Sequence, residues 1–242
     1  MTRSSLANLG VCFILPYFYF DVYYIYLILP ALIISVIAQI KVKSTFSKYS
    51  NVHAGLTGAE AAERVLHSHG VYNVRIERVA GNLTDHFDPR ANVIRLSESV
   101  YDSASVAAVG VAAHEAGHAV QYAENYSPIM IRNKIVPVVS FGSSISWIVL
   151  ILGVFLSMPA LLWLGIGLFS LSTVFHLVTL PVEFNASRRA IETIDSKALL
   201  SDEQTKGAKK VLSAAAMTYV AALLMSLAQL LRIVLLFGNR RR

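Results

Sequence analysis

Apolar positions fall in four long runs, residues 23–40, 135–157, 160–180 and 211–237. A bilayer is crossed by about 20 apolar residues in a helix, so each run is a candidate span. The first run follows an aromatic-rich stretch, residues 13–24, which reads as an interfacial belt leading into it. Pro16, Asp21 and Pro30 argue against one straight helix over residues 6–40. Met158-Pro159 leaves room only for a tight hairpin between the second and third runs. Ser140, Gly142, Ser143, Ser144 and Ser146 on the second, with Gly165 and Gly167 on the third, allow close helix packing. The N-terminus has a thin basic region and no clean small-residue cleavage site, so it reads as a retained anchor.

Residues 44–130 are the one sizeable polar section. Thr57-Gly-Ala-Glu60 has the form of a capping box, opening a short amphipathic helix that Gly70 stops. Residues 71–79 and 91–96 alternate in polarity with β-branched residues and read as strands. The second, with Asn92, Val93, Ile94 and Arg95, is expected to be an edge that docks an extended peptide. Residues 81–90 between them are dense in turn formers. An Ala-rich, Pro-free helix follows, with Asp102 or Ser103 as its cap. The chain has no internal repeat.

That helix carries His114-Glu-Ala-Gly-His118. Residues four apart share a helix face, so His114 and His118 can grip one Zn²⁺. Glu115 is placed to take a proton from water at an open position without binding the metal itself. Gly117 lies between the two histidines and costs helix stability, which points to close approach by another backbone. A catalytic zinc has three protein ligands. Glu183, just past the third run and beside Pro181, is the favoured third; Glu192, Asp195 and His176 are the alternatives. His176 precedes Glu183 by seven residues on the same face, but about 10 Å along the axis. His86, His176, Asn185 and Arg188 are candidates for contacts to substrate or transition state. His53, His67 and His69 read as surface residues.

Composition agrees with a membrane protein: 55% of residues are hydrophobic and 15% charged, against about 25% charged in soluble domains. The net charge of +6 suits an anionic membrane surface, and no nucleic-acid motif is present. Cys12 is the single cysteine, which excludes an internal disulfide. If the four spans alternate, Lys41, Lys43, Lys48, Arg132, Lys134, Arg188, Arg189, Lys206, Lys209 and Lys210 share one side, expected to be cytoplasmic. Arg3 and the triplet Arg240-Arg241-Arg242 fall on the other.

His114-Glu-Ala-Gly-His118, Leu83-Thr-Asp-His-Phe-Asp-Pro-Arg90, Thr57-Gly-Ala-Glu60 and Leu180-Pro-Val-Glu-Phe-Asn-Ala-Ser-Arg-Arg-Ala190 together resemble the YugP-type family of bacterial membrane zinc metallopeptidases. The resemblance spans residues 41–231 and extends to gluzincins of the HtpX and CaaX-protease kind. It implies Glu183 as third ligand. Two positions depart from the pattern: Asn185 stands in place of Asp, and His176 in place of Gln.

The expectation is a polytopic α-helical membrane protein with a small α+β zincin-like catalytic domain at the membrane surface. It divides into an anchor (1–43), a catalytic portion (44–130), a helical hairpin (131–181), a third-ligand segment (182–210) and a final span with a basic tail (211–242). It would be a zinc endopeptidase of the bacterial plasma membrane, its site on the cytoplasmic side, acting on membrane or misfolded proteins. A homo-oligomer or a regulatory membrane partner is left open. The competing reading is a zinc-stabilised scaffold or pseudo-protease, against which Glu115 argues. A transporter fits poorly, because His176 and Arg232 are nearly the only ionisable groups in the spans.

Overall fold

A computed structural model describes residues 21–237. Cys12, Arg3, Pro16, the aromatic stretch before residue 21 and the triplet Arg240–Arg242 lie outside the described residues. Asp21 caps the first helical turn, its Oδ1 accepting from the Tyr24 N–H at 2.8 Å. A π-helical turn, Tyr24–Ile28, leads into α1 (Leu29–Ser50), where Pro30 sits in the first turn and needs no hydrogen-bond partner.

The expected capping box is present. Thr57 N–H donates to Glu60 Oε2 at 2.7 Å and Glu60 N–H to Thr57 Oγ1 at 3.2 Å, opening α2 (Gly58–Ser68). Three strands follow: β1 (Arg75–Val79), β2 (His86–Asp88) and β3 (Val93–Ser97). After the short α3 (Glu98–Tyr101) comes α4 (Val106–Ala123), capped by Ser105 Oγ, one turn later than Asp102 or Ser103 would have capped it. Three long helices complete the chain: α5 (Ser127–Phe155), α6 (Pro159–Ser196) and α7 (Asp202–Phe237).

The sheet order is β1-β3-β2, with β3 parallel to β1 and antiparallel to β2. This corrects the expectation for Asn92, Val93, Ile94 and Arg95. Their strand is central, not an edge. Val93, Ile94, Leu96 and Ser97 are all buried, which a strand with neighbours on both sides requires. Arg95 ties the sheet across, 3.0 Å from Asp88 of β2 and 3.8 Å from Glu77 of β1. Asn92 turns the chain into the strand with φ of +52°. The missed strand, β2, is three residues long and lies inside the turn-forming segment.

Among the described residues, four helical segments are long and apolar enough to cross a membrane: Tyr24–Ser50, α5, α6 and α7. Their outer faces expose large apolar side chains such as Ile37, Val138, Phe141, Ile148 and Phe155, as lipid contact would require. The four expected boundaries, at 43/44, 130/131, 181/182 and 210/211, all fall inside continuous helices. α6 runs through Pro181 without a break, so the same rigid element that spans also carries Glu183.

Two cores hold these parts. One joins α2, β3 and α4 to the ends of α6 and α7 through Leu66, Ile94, Leu96, Val109, Ile194 and Leu212. The other lies among α5, α6 and α7 around Leu150, Leu162, Phe169 and Ile233. Gly165 admits Leu150 between the helices, whereas Gly167 meets nothing within 4 Å and plays no such part.

α4 and α6 touch backbone to backbone. A Cβ placed on Gly117 would lie 2.7 Å from the Ala186 carbonyl oxygen. On Gly110 it would lie 3.5 Å from the Ala208 Cβ, an ordinary contact. Gly117→Ala is therefore expected to push the helices apart and destabilise the protein by roughly 1–3 kcal/mol. Gly110→Ala should be neutral or stabilising by up to about 1 kcal/mol through helix propensity. Thermal unfolding of the two variants in detergent checks this; equal melting temperatures would show that the close approach is not limiting.

Candidate metal centre

α4 presents His114 and His118 on one face, with ring centroids 4.7 Å apart. α6 crosses that face at Gly117 and delivers Glu183, only 2% exposed, into the space between the rings. Glu183 Oε2 lies 3.3 Å from His114 Nε2 and 3.5 Å from His118 Nε2. Ligands of a tetrahedral zinc at about 2.0–2.1 Å are roughly 3.3 Å apart, so the spacing is that of a closed ligand set. Among the described residues, these three form the only group of His, Cys, Asp or Glu with converging donor atoms.

The hydrogen bonds show what the cluster needs. Gln121 Nε2 donates to the Val182 carbonyl at 2.9 Å and to Asn185 Oδ1 at 2.9 Å. Its Oε1 is thereby an acceptor, 3.1 Å from His118 Nδ1. That assigns the proton of His118 to Nδ1 and leaves a lone pair on Nε2. His114 Nδ1 is held by Ser187 Oγ at 3.1 Å. Glu183 Oε2 is buried and has no hydrogen-bond partner. Electron-rich atoms facing one another in a buried site repel unless a cation lies between them. Two imidazole nitrogens and a carboxylate are a donor set that suits Zn²⁺, so the residues fit the metal.

Glu115 points into the same cavity, of about 200 Å³, which Asp85, His114, Glu183, Ser187 and Tyr219 also line. Desolvation pushes its carboxyl pKa up, opposed by the charge of His114 and reinforced by Glu183 and Asp85. A carboxyl raised in this way is a stronger base than an exposed one, which suits it to accepting a proton. Asp85 is itself fixed to the end of β3, accepting from Ser97 N–H at 2.7 Å and Ser97 Oγ at 3.0 Å. Arg132 of α5 approaches Glu183 Oε1 at 3.9 Å.

The structure sorts the sequence candidates. His114, Glu115, His118 and Glu183 come together. Asn185 joins them indirectly: its Oδ1 accepts from Gln121 and from Arg189 Nε at 2.8 Å, and Arg189 pairs with Glu124 at 2.7 Å. His86 does not reach the cavity. It is exposed, with Nδ1 2.8 Å from the Thr84 carbonyl and Nε2 3.4 Å from Arg95. Its neighbour Asp85 lines the cavity instead, because successive residues of an extended segment face opposite ways, and Leu83 reaches the same cavity from the bend before it. His176 lines a separate cavity with Ser35, Gln39 and Gln229, between α1, α6 and α7. Arg188 is exposed on the outer face of α6, as is the rejected ligand Glu192. Four participants had not been identified in the sequence: Gln121, Ser187, Asp85 and Tyr219. Gln121 follows His118 by three residues and Ser187 follows Glu183 by four, so helical spacing marks both. Nothing local marks Tyr219 in the last apolar run.

Two histidines on one helix, a glutamate from another that could share a metal ion with them, and an acid beside them fit a zinc metallopeptidase class of site. The chain belongs to that class: the family model described as "Putative neutral zinc metallopeptidase" matches residues 24–238. It is 50% identical over 220 residues, 90% of this chain and 98% of the relative, to the "Putative membrane protease YugP" of Bacillus subtilis (strain 168). No solved structure matches it.

The network generates a graded expectation. Glu183→Ala removes a ligand and should abolish zinc retention under dilute chelator, while Glu192→Ala should leave it unchanged. Gln121→Leu keeps volume but frees His118 Nδ1 and strands the Val182 carbonyl. Zinc affinity should then fall about 10- to 100-fold. Metal content after dialysis against a chelator series reads all three, and wild-type retention in Glu183→Ala would assign the third ligand elsewhere.

Proposed function

We propose that the protein is a membrane-embedded zinc metalloendopeptidase with a gluzincin-like site, and that His114, His118 and Glu183 hold the metal. The observation that carries this reading is the buried, unpartnered Glu183 Oε2 facing two imidazole nitrogens, with Glu115 in the same cavity. The ion, when bound, supplies a Lewis acid that polarises a carbonyl and activates water. Glu115 takes a proton from the attacking water and passes it to the leaving amine, which its raised pKa favours. Ser187 and Gln121 hold the two imidazoles in place. A purely structural zinc site has no use for the acid at Glu115, which argues against the scaffold reading.

The peptide-docking edge moves from β3 to β2. β2 pairs with β3 on one side only and packs next to α4, with the Phe87 backbone N–H facing Glu115. An extended substrate added there would lie along the metal cavity, held by main-chain hydrogen bonds that read little sequence. Leu83 and Asp85 at its start already form part of the cavity wall. Substrates are segments of membrane or misfolded proteins near the bilayer. The ten basic residues that share one side support a cytoplasmic site in a bacterial plasma membrane, with the triplet Arg240-Arg241-Arg242 counting the other way.

Two experiments test this. Glu115→Gln fills the same space but cannot accept a proton. It should retain zinc and lose hydrolysis of casein or of the chain itself by at least about 100-fold. Activity near wild type would remove Glu115 from its role. Orientation is tested in a Cys12→Ser background. Gly55→Cys should resist impermeant thiol reagents in intact cells, whereas Met158→Cys should react. Labelling at position 55 in unbroken cells would invert the orientation.

A further inference from the structure

α1 and α7 pass each other in opposite directions. Tyr49 meets Gly207, whereas Ser35 shares a cavity with Gln229. Where both helices leave their apolar runs they flank a third, open cavity, of about 480 Å³, lined by the exposed Lys41, Lys48, Lys206, Lys209 and Lys210. No carboxylate of a described residue lines it. Lys206 is paired with Glu203 at 2.7 Å, whereas Lys41, Lys209 and Lys210 form no ion pair with a described residue. Ammonium groups gathered without counter-charge repel one another, so an anion seated among them is favoured. Thr45 and Ser213 add hydroxyl donors to the same wall.

We propose that this cavity binds the phosphate of an anionic phospholipid. Both helices are candidate spans, and the cavity sits where their apolar runs end, which is the level of lipid headgroups. Within two turns further in, Ile37, Ile40 and Met217 are exposed and offer an apolar surface to the acyl chains. A free phosphate would use the charges but not that surface. An acidic peptide would find no reason for the cavity to lie at the polar–apolar boundary.

The site fixes depth. The α7 wall of the metal cavity runs from Val211 and Leu212, the residues directly after Lys210, to Tyr219 nine residues on, and Val42 beside Lys41 belongs to the same lining. At 1.5 Å per residue Tyr219 lies roughly 13.5 Å further inward along the helix. A lipid phosphate held at the lysines therefore places one end of the metal cavity at the phosphate level, with the cavity reaching inward from there.

The full-length, zinc-loaded protein in detergent is titrated with short-chain phosphatidylglycerol, short-chain phosphatidylcholine, inorganic phosphate and a poly-glutamate peptide. Thermal shift and native mass spectrometry are the readouts. The triple variant Lys41→Gln/Lys209→Gln/Lys210→Gln is compared with Arg64→Gln/Arg75→Gln/Arg78→Gln, which removes equal charge elsewhere. Phosphatidylglycerol is expected to bind at least tenfold more tightly than phosphatidylcholine, to lose that preference in the lysine variant and to keep it in the arginine variant. Lys209→Gln alone should lower affinity at least threefold, and it serves if the triple variant loses zinc or unfolds. Equal binding of inorganic phosphate would overturn the lipid assignment, as would lysine-dependent binding of poly-glutamate in its place. An unchanged lipid preference in the lysine variants would overturn the site.

Discussion

The contact between Gly117 and the Ala186 carbonyl sets the geometry of everything around the metal. His114 and His118 come from α4 and Glu183 from α6, and neither helix can complete the site alone. Their axes must approach until backbone touches backbone, which leaves no room for a Cβ at position 117. One residue therefore serves two purposes. It accepts the propensity cost of glycine inside a helix, and in return it lets the Glu183 carboxylate reach the ring nitrogens of the two imidazoles. The small residues flanking it, Ala113, Ala116 and Ala186, are fully buried and extend the close packing along the crossing.

Close crossing creates a problem of polar accounting that Gln121 solves. The buried α6 backbone exposes the Val182 carbonyl, and Asn185 and His118 bring further polar atoms into the same dry space. Gln121 satisfies all three at once, with two donors and one acceptor. It is fully buried, as a side chain so used must be. Asn185 hands the chain of bonds on to Arg189 and Glu124. Its amide oxygen accepts from both Gln121 and Arg189, so it orients Gln121.

Sequence reading worked where the signal was local. The capping box at Thr57, the helix bearing the two histidines, the four apolar runs and the close approach at Gly117 each depend on residues a few positions apart. Glu183 was within reach because it lies just beyond an apolar run and matches a resembled motif. The failures were of another kind. β2 is three residues long, inside a segment whose Gly, Asn, Asp and Pro signal turns, so no periodicity could develop. Without it β3 looked like an edge. Pro181 suggested a boundary, yet a proline in a long helix packed on both sides need not end it. Asp85 and Tyr219 reach the cavity through tertiary placement alone.

Continuity of α6 and α7 ties the chemistry to the membrane. Glu183 lies 24 residues into a helix that begins at Pro159, and Tyr219 lies well inside α7, so each span carries its own portion of the metal cavity. The Glu183 side of the site is thus continuous with a span, whereas the histidines on α4 join the spans through the turn at residues 124–126 and the close packing at Gly117. At the far end, Arg232 of α7 makes a buried pair with Asp21, Nε and Nη2 lying 2.9 and 2.6 Å from Oδ2. A buried ion pair contributes little net stability, but separating its partners costs about 3–5 kcal/mol. It therefore acts as a register mark between α7 and the entry to α1. The two helices that flank the lysine cavity are pinned at one end by charge and at the other by Tyr49 against Gly207. The height of the metal cavity relative to the apolar faces is consequently a property of rigid helices, set by which residues along them are apolar, and not by the polar domain that carries the histidines.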